Sequence, residues 1–407
     1  MKVALVHDWL TGYRGGERVL HHLARRFPHA DLHTLIHEPG RVPAAIEARR
    51  IVTSPLDALP GRAAYYRKLL PLFPWAIRRF DFAGYDLVLS TSHAVAKSVD
   101  VPGDVPHLSY CFTPMRYVWD LQGDYLGRGP RRLAARPLVR ALRRFDVATS
   151  GPGSVDRFLA ISSEVALRIE RHYGREARVV PPPVDVSWIE PATGPGDDYY
   201  LLVSSFVPYK RDALVIEAFR RSGRRLVVVG DGPGRARLMR EGLPNVEFTG
   251  RVDDRTLARL YRDCRALLYP QREDFGLIAV EAQAAGRPVI AYGRGGVLDT
   301  VRPVNAVASA GLPAPDHKGD APEPTGFFFF EQSPEGVARA VEAFERIEHE
   351  FAPAALRRWA ERFSPARFDA ALDDELQTLV PRRPAAGTSE SIGSRAGSPA
   401  RPGWRAA

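Results

Sequence analysis

Short apolar runs separated by amphipathic stretches recur along most of the chain. KVALVH (2–7) is followed by a glycine-rich turn and a helical pattern over 16–26. LHTLI (32–36), DLVLSTS (86–92), HLSYCF (107–112) and RFLAIS (157–162) are further runs of strand length, and a helical pattern opens at Ser163 before the run RVVPPPVD. PPPVD (181–185) and PATGPGDD (191–198) interrupt the pattern and mark a linker. The second half repeats the alternation with YYLLVSSF (199–206), RLVVVGDG (225–232), VEFTG (246–250), ALLYP (266–270) and PVIAYG (288–293). Strands alternating with helices predict parallel sheets covered on both faces. Two helical stretches follow residue 350, residues 311–324 form a Pro/Gly-rich loop, and the tail from 382 has too few apolar residues to bury a core. The predicted organisation is α/β: a domain at 1–185, a second at 186–350, helices over 351–381 and a disordered tail over 382–407. Open parallel sheets bind ligands at the carboxyl ends of their strands. A cleft between two such halves is therefore the predicted site.

Length and composition agree with this picture. A chain of 407 residues, 45 % hydrophobic, has enough apolar surface for two cores. Its two cysteines, Cys111 and Cys264, are far apart and lack metal-ligand company, so a reducing compartment is expected rather than a disulfide framework. MKVALVHDWL reads as a first strand, not a signal peptide, and no apolar run reaches eighteen residues. The net charge of +9 is uneven: residues 1–180 carry 27 basic and 17 acidic side chains, the remainder 30 and 31. The first half is thus expected to meet an anion or an anionic membrane surface. RAAYYRKLLPLFPWAIRRF (62–80) and RGPRRLAARPLVRALRRFD (128–146) mix arginines with apolar and aromatic residues. They suit a membrane interface, and equally a helix pair packed on its own domain with arginines outside. No nucleic-acid module accompanies the basic charge.

The stretch QREDFGLIAVEAQAAGRPVIA (271–291) carries the candidate chemistry. Gly286 and Pro288 end a helix that Asp274 or Gly276 begins. Eight helical steps would separate Glu273 and Glu281 by about 12 Å. They are too far apart to act as one acid/base pair, but they suit the two ends of an elongated ligand. The helix N-terminus between them suits a phosphate. Alone, each could be a surface glutamate, but Glu281 lies in an apolar run. Gly230 and Gly232 follow a strand and permit close backbone approach. Gly15 and Gly16 open a helix after the first strand, which fits either a ligand approach or a plain tight turn. His93 ends a strand. Asp8, Arg116 and Asp120 also lie near strand ends, where structural ion pairs are an equal reading.

These motifs resemble the retaining GT-B glycosyltransferases with an E-x7-E motif, the group 1 family. VPYKRDALVIEAF (207–219), VVVGDGP (227–233), FTGRVDD (248–254), ALLYPQREDFGL (266–277), EAQAAGRPVIAYGRGG (281–296) and TGFFF (325–329) follow that family in order. VHDWLTGYRGGERVL (6–20), YDLVLSTSHAVAKSV (85–99) and YCFTPMRYVWD (110–120) resemble a subgroup of mannosyltransferases of polysaccharide and O-antigen assembly. The resemblance covers about residues 1–380. It implies two Rossmann-like domains facing across a cleft, with C-terminal helices crossing back to the first, and transfer of a hexose from a nucleotide-sugar donor. Mannose from GDP-mannose is favoured, with no metal or other cofactor required. It implies that Glu273 contacts the donor sugar, Glu281 the ribose, Lys210 the diphosphate, and the backbone of Phe275, Gly276 and Leu277 the sugar and phosphates. Arg251 lies where the base stacks, Gly15 and Gly16 face the donor across the cleft, and His93 binds the sugar. His93, Lys210 and Glu273 form the implied catalytic set. Two positions depart from the family: Ser205 stands where arginine is usual, and Phe112 where histidine is common. Arg211 is a candidate substitute for the missing arginine. The departures keep open a catalytically impaired sugar-nucleotide binder; a GT-B epimerase would need acid/base residues that the sequence does not place. A lipid-linked or oligosaccharide acceptor and a cytoplasmic location, peripheral on the inner face of the membrane, complete the expectation.

Overall fold

The computed structural model describes residues 1–120, 130–239, 242–304 and 323–379. The predicted tail and nearly all of the 311–324 loop lie outside them. Seven parallel strands form the first sheet: β1 (Val3–His7), β2 (Asp31–Thr34), β3 (Ile51–Thr53), β4 (Leu87–Ser92), β5 (His107–Cys111), β6 (Arg157–Ala160) and β7 (Arg178–Val179), in the order β3-β2-β1-β4-β5-β6-β7. The central β1 is buried at all five positions. Val3 and Leu5 enter one core while Ala4 and Val6 enter the other. A strand covered on both faces reads as a continuous apolar run.

The second sheet is also wholly parallel. It holds β8 (Tyr200–Val203), β9 (Leu226–Val229), β10 (Val246–Gly250), β11 (Leu267–Tyr269), β12 (Val289–Tyr292) and β13 (Gly326–Phe329), in the order β10-β9-β8-β11-β12-β13. Two strands go beyond the sequence pattern. β3 is a three-residue edge strand, too short to show a period. β13 is a phenylalanine run beginning with a glycine, paired in register with β12 from Val289↔Gly326.

The helices used below are α1 (Gly15–Arg26), α2 (Pro130–Ala148), α3 (Ser163–Tyr173), α4 (Asp212–Ser222), α5 (Leu277–Ala284), α6 (Pro334–Ile347), α7 (Pro353–Ala360) and α8 (Pro365–Leu379). The chain ends its described course by returning to the first half. On α8, Asp369 pairs with His22 at 2.8 Å, Asp373 with Arg26 at 2.6 Å and Glu375 with Arg178 at 2.9 Å. Phe368 packs its ring on Tyr110 of β5. One apolar cluster consequently runs from Leu5 and Tyr110 through Tyr269 and Ala279 to Phe363 and Phe368. The result is two Rossmann-like units of α/β fold facing each other, with the last helix crossing back.

Residues 62–80 form short helical turns, Arg62–Tyr65, Tyr66–Leu72 and Phe73–Ile77. Tyr66, Phe73, Ala76 and Ile77 pack inward, while Leu72 and Trp75 stay 46 % and 47 % exposed, with Arg79 over the Trp75 ring. On α2, Leu142 is buried and Leu133 and Leu138 are exposed.

Candidate functional site at the cleft between the sheets

Two helices from opposite halves fix the geometry. α5 begins at Leu277, separated from Glu273–Phe275 by its N-cap Gly276 at φ 98°, a left-handed conformation that side chains resist. A Cβ there would also lie 2.8 Å from the Tyr269 hydroxyl. Glu273 therefore sits in the loop before α5, and Glu281 inside the helix. Across the cleft, a Cβ on Gly15 would lie 3.2 Å from Leu277 Cδ1. One turn further along both helices, Arg18 Nη1 donates to Glu281 Oε1 at 3.1 Å. These two contacts set α1 and α5 side by side with their N-termini together. Each helix N-terminus carries about half a positive charge, an arrangement that suits an anion.

Each glutamate is held by its own partners. Glu281 is buried, 4 % exposed, and also accepts a 2.9 Å hydrogen bond from the Tyr261 hydroxyl. Burial pushes its carboxyl above the usual range, and Arg18 and Tyr261 offset this only in part. Glu273 pairs with Lys210 Nζ at 2.5 Å and accepts from the Tyr269 hydroxyl at 2.7 Å. Burial would raise it too, but Lys210, Tyr269 and Arg116 outweigh burial and hold it below the usual range. Lys210 is thus engaged with Glu273 in this structure. The next residue, Asp274, accepts from Arg168 Nη1 of α3 at 2.7 Å and pairs with Arg116. First-half arginines thereby anchor the glutamate loop of the second half.

The remaining candidates fall into two groups. Near Glu273, the loops after β8 and β9 meet backbone to backbone. Gly230 has φ 123°, and a Cβ on it would fall 1.8 Å from the Ser204 carbonyl oxygen. One on Gly232 would meet the Ser205 carbonyl as closely, so both positions admit only glycine. Gly230 N–H donates to Gly250 O at 2.8 Å, which places exposed Arg251 at the edge of the same loop cluster. Ser205 is exposed, as is Arg211, whose backbone is left-handed at the start of α4. On the first-half side, Gly16 lies against the Phe112 ring, which also neighbours His7 and His93. His93 stands edge-on to Trp9 and places Nδ1 3.1 Å from Asp8 Oδ2. Burial lowers its pKa against the opposing pull of Asp8. A neutral ring donating Nδ1–H to Asp8 leaves Nε2 as an acceptor.

Asp8, Arg116 and Asp120 take the structural reading. Asp8 accepts four backbone N–H groups, from His93, Ala94, Val95 and Ala96, at 2.7 to 3.0 Å. It fixes the loop that carries His93. Arg116 holds Asp274, and Asp120 lies 3.3 Å from Arg168 Nε. Sequence reasoning missed Arg18, Tyr261 and Tyr269. Nothing local marks them: Arg18 is an ordinary arginine on an amphipathic helix, and its partner is 263 residues away.

Comparison with known proteins gives the same picture. Residues 190–361 match the family model described as glycosyl transferases group 1, and residues 13–188 match glycosyltransferase family 4. The chain is 36 % identical over 102 residues to O-antigen chain mannosyltransferase C of Escherichia coli, covering 23 % of this chain and 28 % of that protein. It is 32 % identical over 205 residues to the D-inositol 3-phosphate glycosyltransferase of Thermomonospora curvata, covering 41 % of this chain and 47 % of the relative. The chain thus spans less than half the length of these relatives. Among solved structures, Anabaena HepE in complex with UDP superposes with a TM-score of 0.65 at 16 % identity, covering 93 % of this chain and 100 % of that one. Sucrose-phosphate synthase from Thermosynechococcus elongatus gives 0.66 at 18 % identity, covering 93 % and 99 %. The second half thus belongs to the group 1 glycosyltransferases and the first half to glycosyltransferase family 4, and the two Rossmann-like units facing across a cleft have the GT-B fold.

Proposed function

We propose that the protein transfers a hexose from a nucleotide-sugar donor to an acceptor hydroxyl, with retention at the anomeric carbon, in glycan, polysaccharide or glycolipid biosynthesis. The observation that carries this reading is the pair of glutamates flanking the N-terminus of α5 where it meets α1. Glu281, buried and hydrogen-bonded, suits a ribose diol. Glu273 suits sugar hydroxyls. Lys210 and the two helix N-termini suit a diphosphate between them, and fixed positive charge there stabilises the leaving group as it departs. The acceptor attacks on the face the diphosphate leaves, and a phosphate oxygen of the departing group takes its proton. His93, through Nε2, accepts from a donor-sugar hydroxyl.

Mannose from GDP-mannose is the favoured donor, supported by the name of the Escherichia coli relative. Other relatives and neighbours bear other names: a D-rhamnosyltransferase of Pseudomonas aeruginosa is 30 % identical over 155 residues, and HepE has been solved with UDP-glucose. A thermal-shift panel of nucleotide sugars separates these. One donor is expected to raise the midpoint, with the shift lost in Glu281→Ala. No shift with any donor would defeat the reading. Binding without turnover would favour the second reading, a catalytically impaired binder, which the residues at Ser205 and Phe112 support.

The first half is further proposed to dock on an anionic membrane surface, at the inner face of the cytoplasmic membrane, where a lipid-linked acceptor would be met. Exposed Leu72 and Trp75 beside Arg67, Lys68 and Arg79 support this. No described helix is long and apolar enough to cross a membrane. The protein is expected to float with anionic liposomes at low salt, and the double change Leu72→Ala, Trp75→Ala to weaken flotation at least about tenfold. Absence of flotation at low salt would refute docking.

A further inference from the structure

The charges of the site are paired with one another before a ligand arrives: Lys210 with Glu273 and Arg18 with Glu281. The second pair is unequal. The Arg18 side chain is 49 % exposed, whereas that of Glu281 is 5 % exposed. A half-solvated guanidinium loses little on leaving, since water replaces its partner. A buried carboxylate tolerates the loss only if other donors take its place. A ribose diol brings two such donors.

The direction in which a released Arg18 would move is set by helix geometry. Arg18 lies three residues after Gly15, about 4.5 Å along the axis. Helical side chains lean toward their own N-terminus. The freed guanidinium therefore reaches the meeting point of the α1 and α5 N-termini, where the diphosphate is proposed to bind. By the family resemblance an arginine is usual at the end of β8, where this chain has the exposed Ser205.

We propose that Arg18 is a diphosphate ligand supplied by the first half, held on Glu281 until the donor ribose takes that carboxylate, and that it replaces the arginine absent at position 205. The proposal rests on the donor site described under the proposed function. It makes donor binding a charge exchange that draws on both halves of the chain. A donor engages Arg18 only when the cleft is closed enough for α1 to meet α5.

Calorimetry with GDP and UDP, and ligand-observed NMR with guanosine and uridine, test this on the full chain. With the diphosphate that the wild type prefers, Arg18→Ala is expected to weaken binding about tenfold to a hundredfold, as for loss of a charge-assisted contact. The matching nucleoside, which has no phosphate, should bind Arg18→Ala as well as wild type or better, because Glu281 is then free. Adding Ser205→Arg to Arg18→Ala should restore at least about tenfold of the lost diphosphate affinity. Equal losses for nucleoside and diphosphate would overturn the proposal and leave Arg18 as a tie between the halves. So would an unchanged diphosphate affinity in Arg18→Ala with a loss in Arg211→Ala instead. A wild type that binds neither diphosphate would overturn the donor site itself, a failure distinct from these two.

Discussion

Glu273→Ala is expected to lower the rate of sugar transfer by about two to three orders of magnitude, the loss typical of removing one preorganised electrostatic contact to a transition state. The change removes a carboxylate whose side chain is 20 % exposed and strands the Lys210 ammonium, 12 % exposed, in the same pocket. Taking one partner from a buried ion pair costs about 3 to 5 kcal/mol, so a fall in stability accompanies the fall in rate. The double variant Glu273→Ala, Lys210→Ala separates the two effects. Stability should recover in part, because no charge is left unpaired. Activity should not recover, because both groups are proposed to act on the donor. Measuring kcat and the unfolding midpoint for both variants decides the matter. Glu273→Ala with kcat within about fivefold of wild type, at saturating donor, would remove Glu273 from the reaction.

Stability should begin to fall with acid before most carboxylates are protonated. His33 on β2 and His107 on β5 are 3 % and 1 % exposed, and burial lowers the pKa of each to about 4. Both rings are therefore neutral in the folded chain down to about pH 4, whereas the unfolded chain protonates them near pH 6.5. Their contribution to stability is intact above pH 6.5 and is lost as the pH falls from 6.5 toward 4. The loss is about 3 kcal/mol per histidine, at about 1.4 kcal/mol per pH unit. The two together are comparable with the whole stability of an ordinary domain, about 5–15 kcal/mol. Denaturant unfolding followed at about pH 7, 6, 5 and 4.5 should show this slope, with about two protons taken up on unfolding near pH 5. His33→Leu should remove about half of it, because His33 packs against the rings of Phe80, Phe82 and Tyr85 and its Nδ1 has no hydrogen-bond partner among the described residues. A midpoint unchanged between about pH 7 and 4.5 would refute the assignment.

What the sequence made legible follows from range. Elements whose signal is local could be read. Short buried runs rich in apolar residues marked β1, β4 and β5, and Gly286 and Pro288 marked the end of α5. Glu281 stood out because a carboxylate interrupting LIAVEAQAA has to be accommodated in a buried helix. β3 was not readable, because three residues at a sheet edge carry no period. Nor was β13, because its phenylalanines neither alternate nor branch at Cβ. The partners of the glutamates were invisible for a different reason. Arg18, Arg116, Lys210, Tyr261 and Tyr269 reach them through the packing of separate helices and loops, and no local pattern encodes that. For Asp8 the sequence leaves a chemical and a structural reading equal, and the structure takes the second. A charged residue at a strand end looks chemical, yet here it collects four backbone N–H groups and holds a loop in place.

The return of α8 onto the first half has a practical consequence for recombining such chains. A chimera that joined residues 1–185 of this protein to the second half of a relative would leave His22, Arg26, Arg178 and Tyr110 facing a foreign final helix. Their partners Asp369, Asp373, Glu375 and Phe368 belong to α8. The exchangeable unit is therefore discontinuous in sequence: the first half together with residues 365–379. Exchanging the first half between relatives calls for two junctions, one in the linker and one just before Pro365.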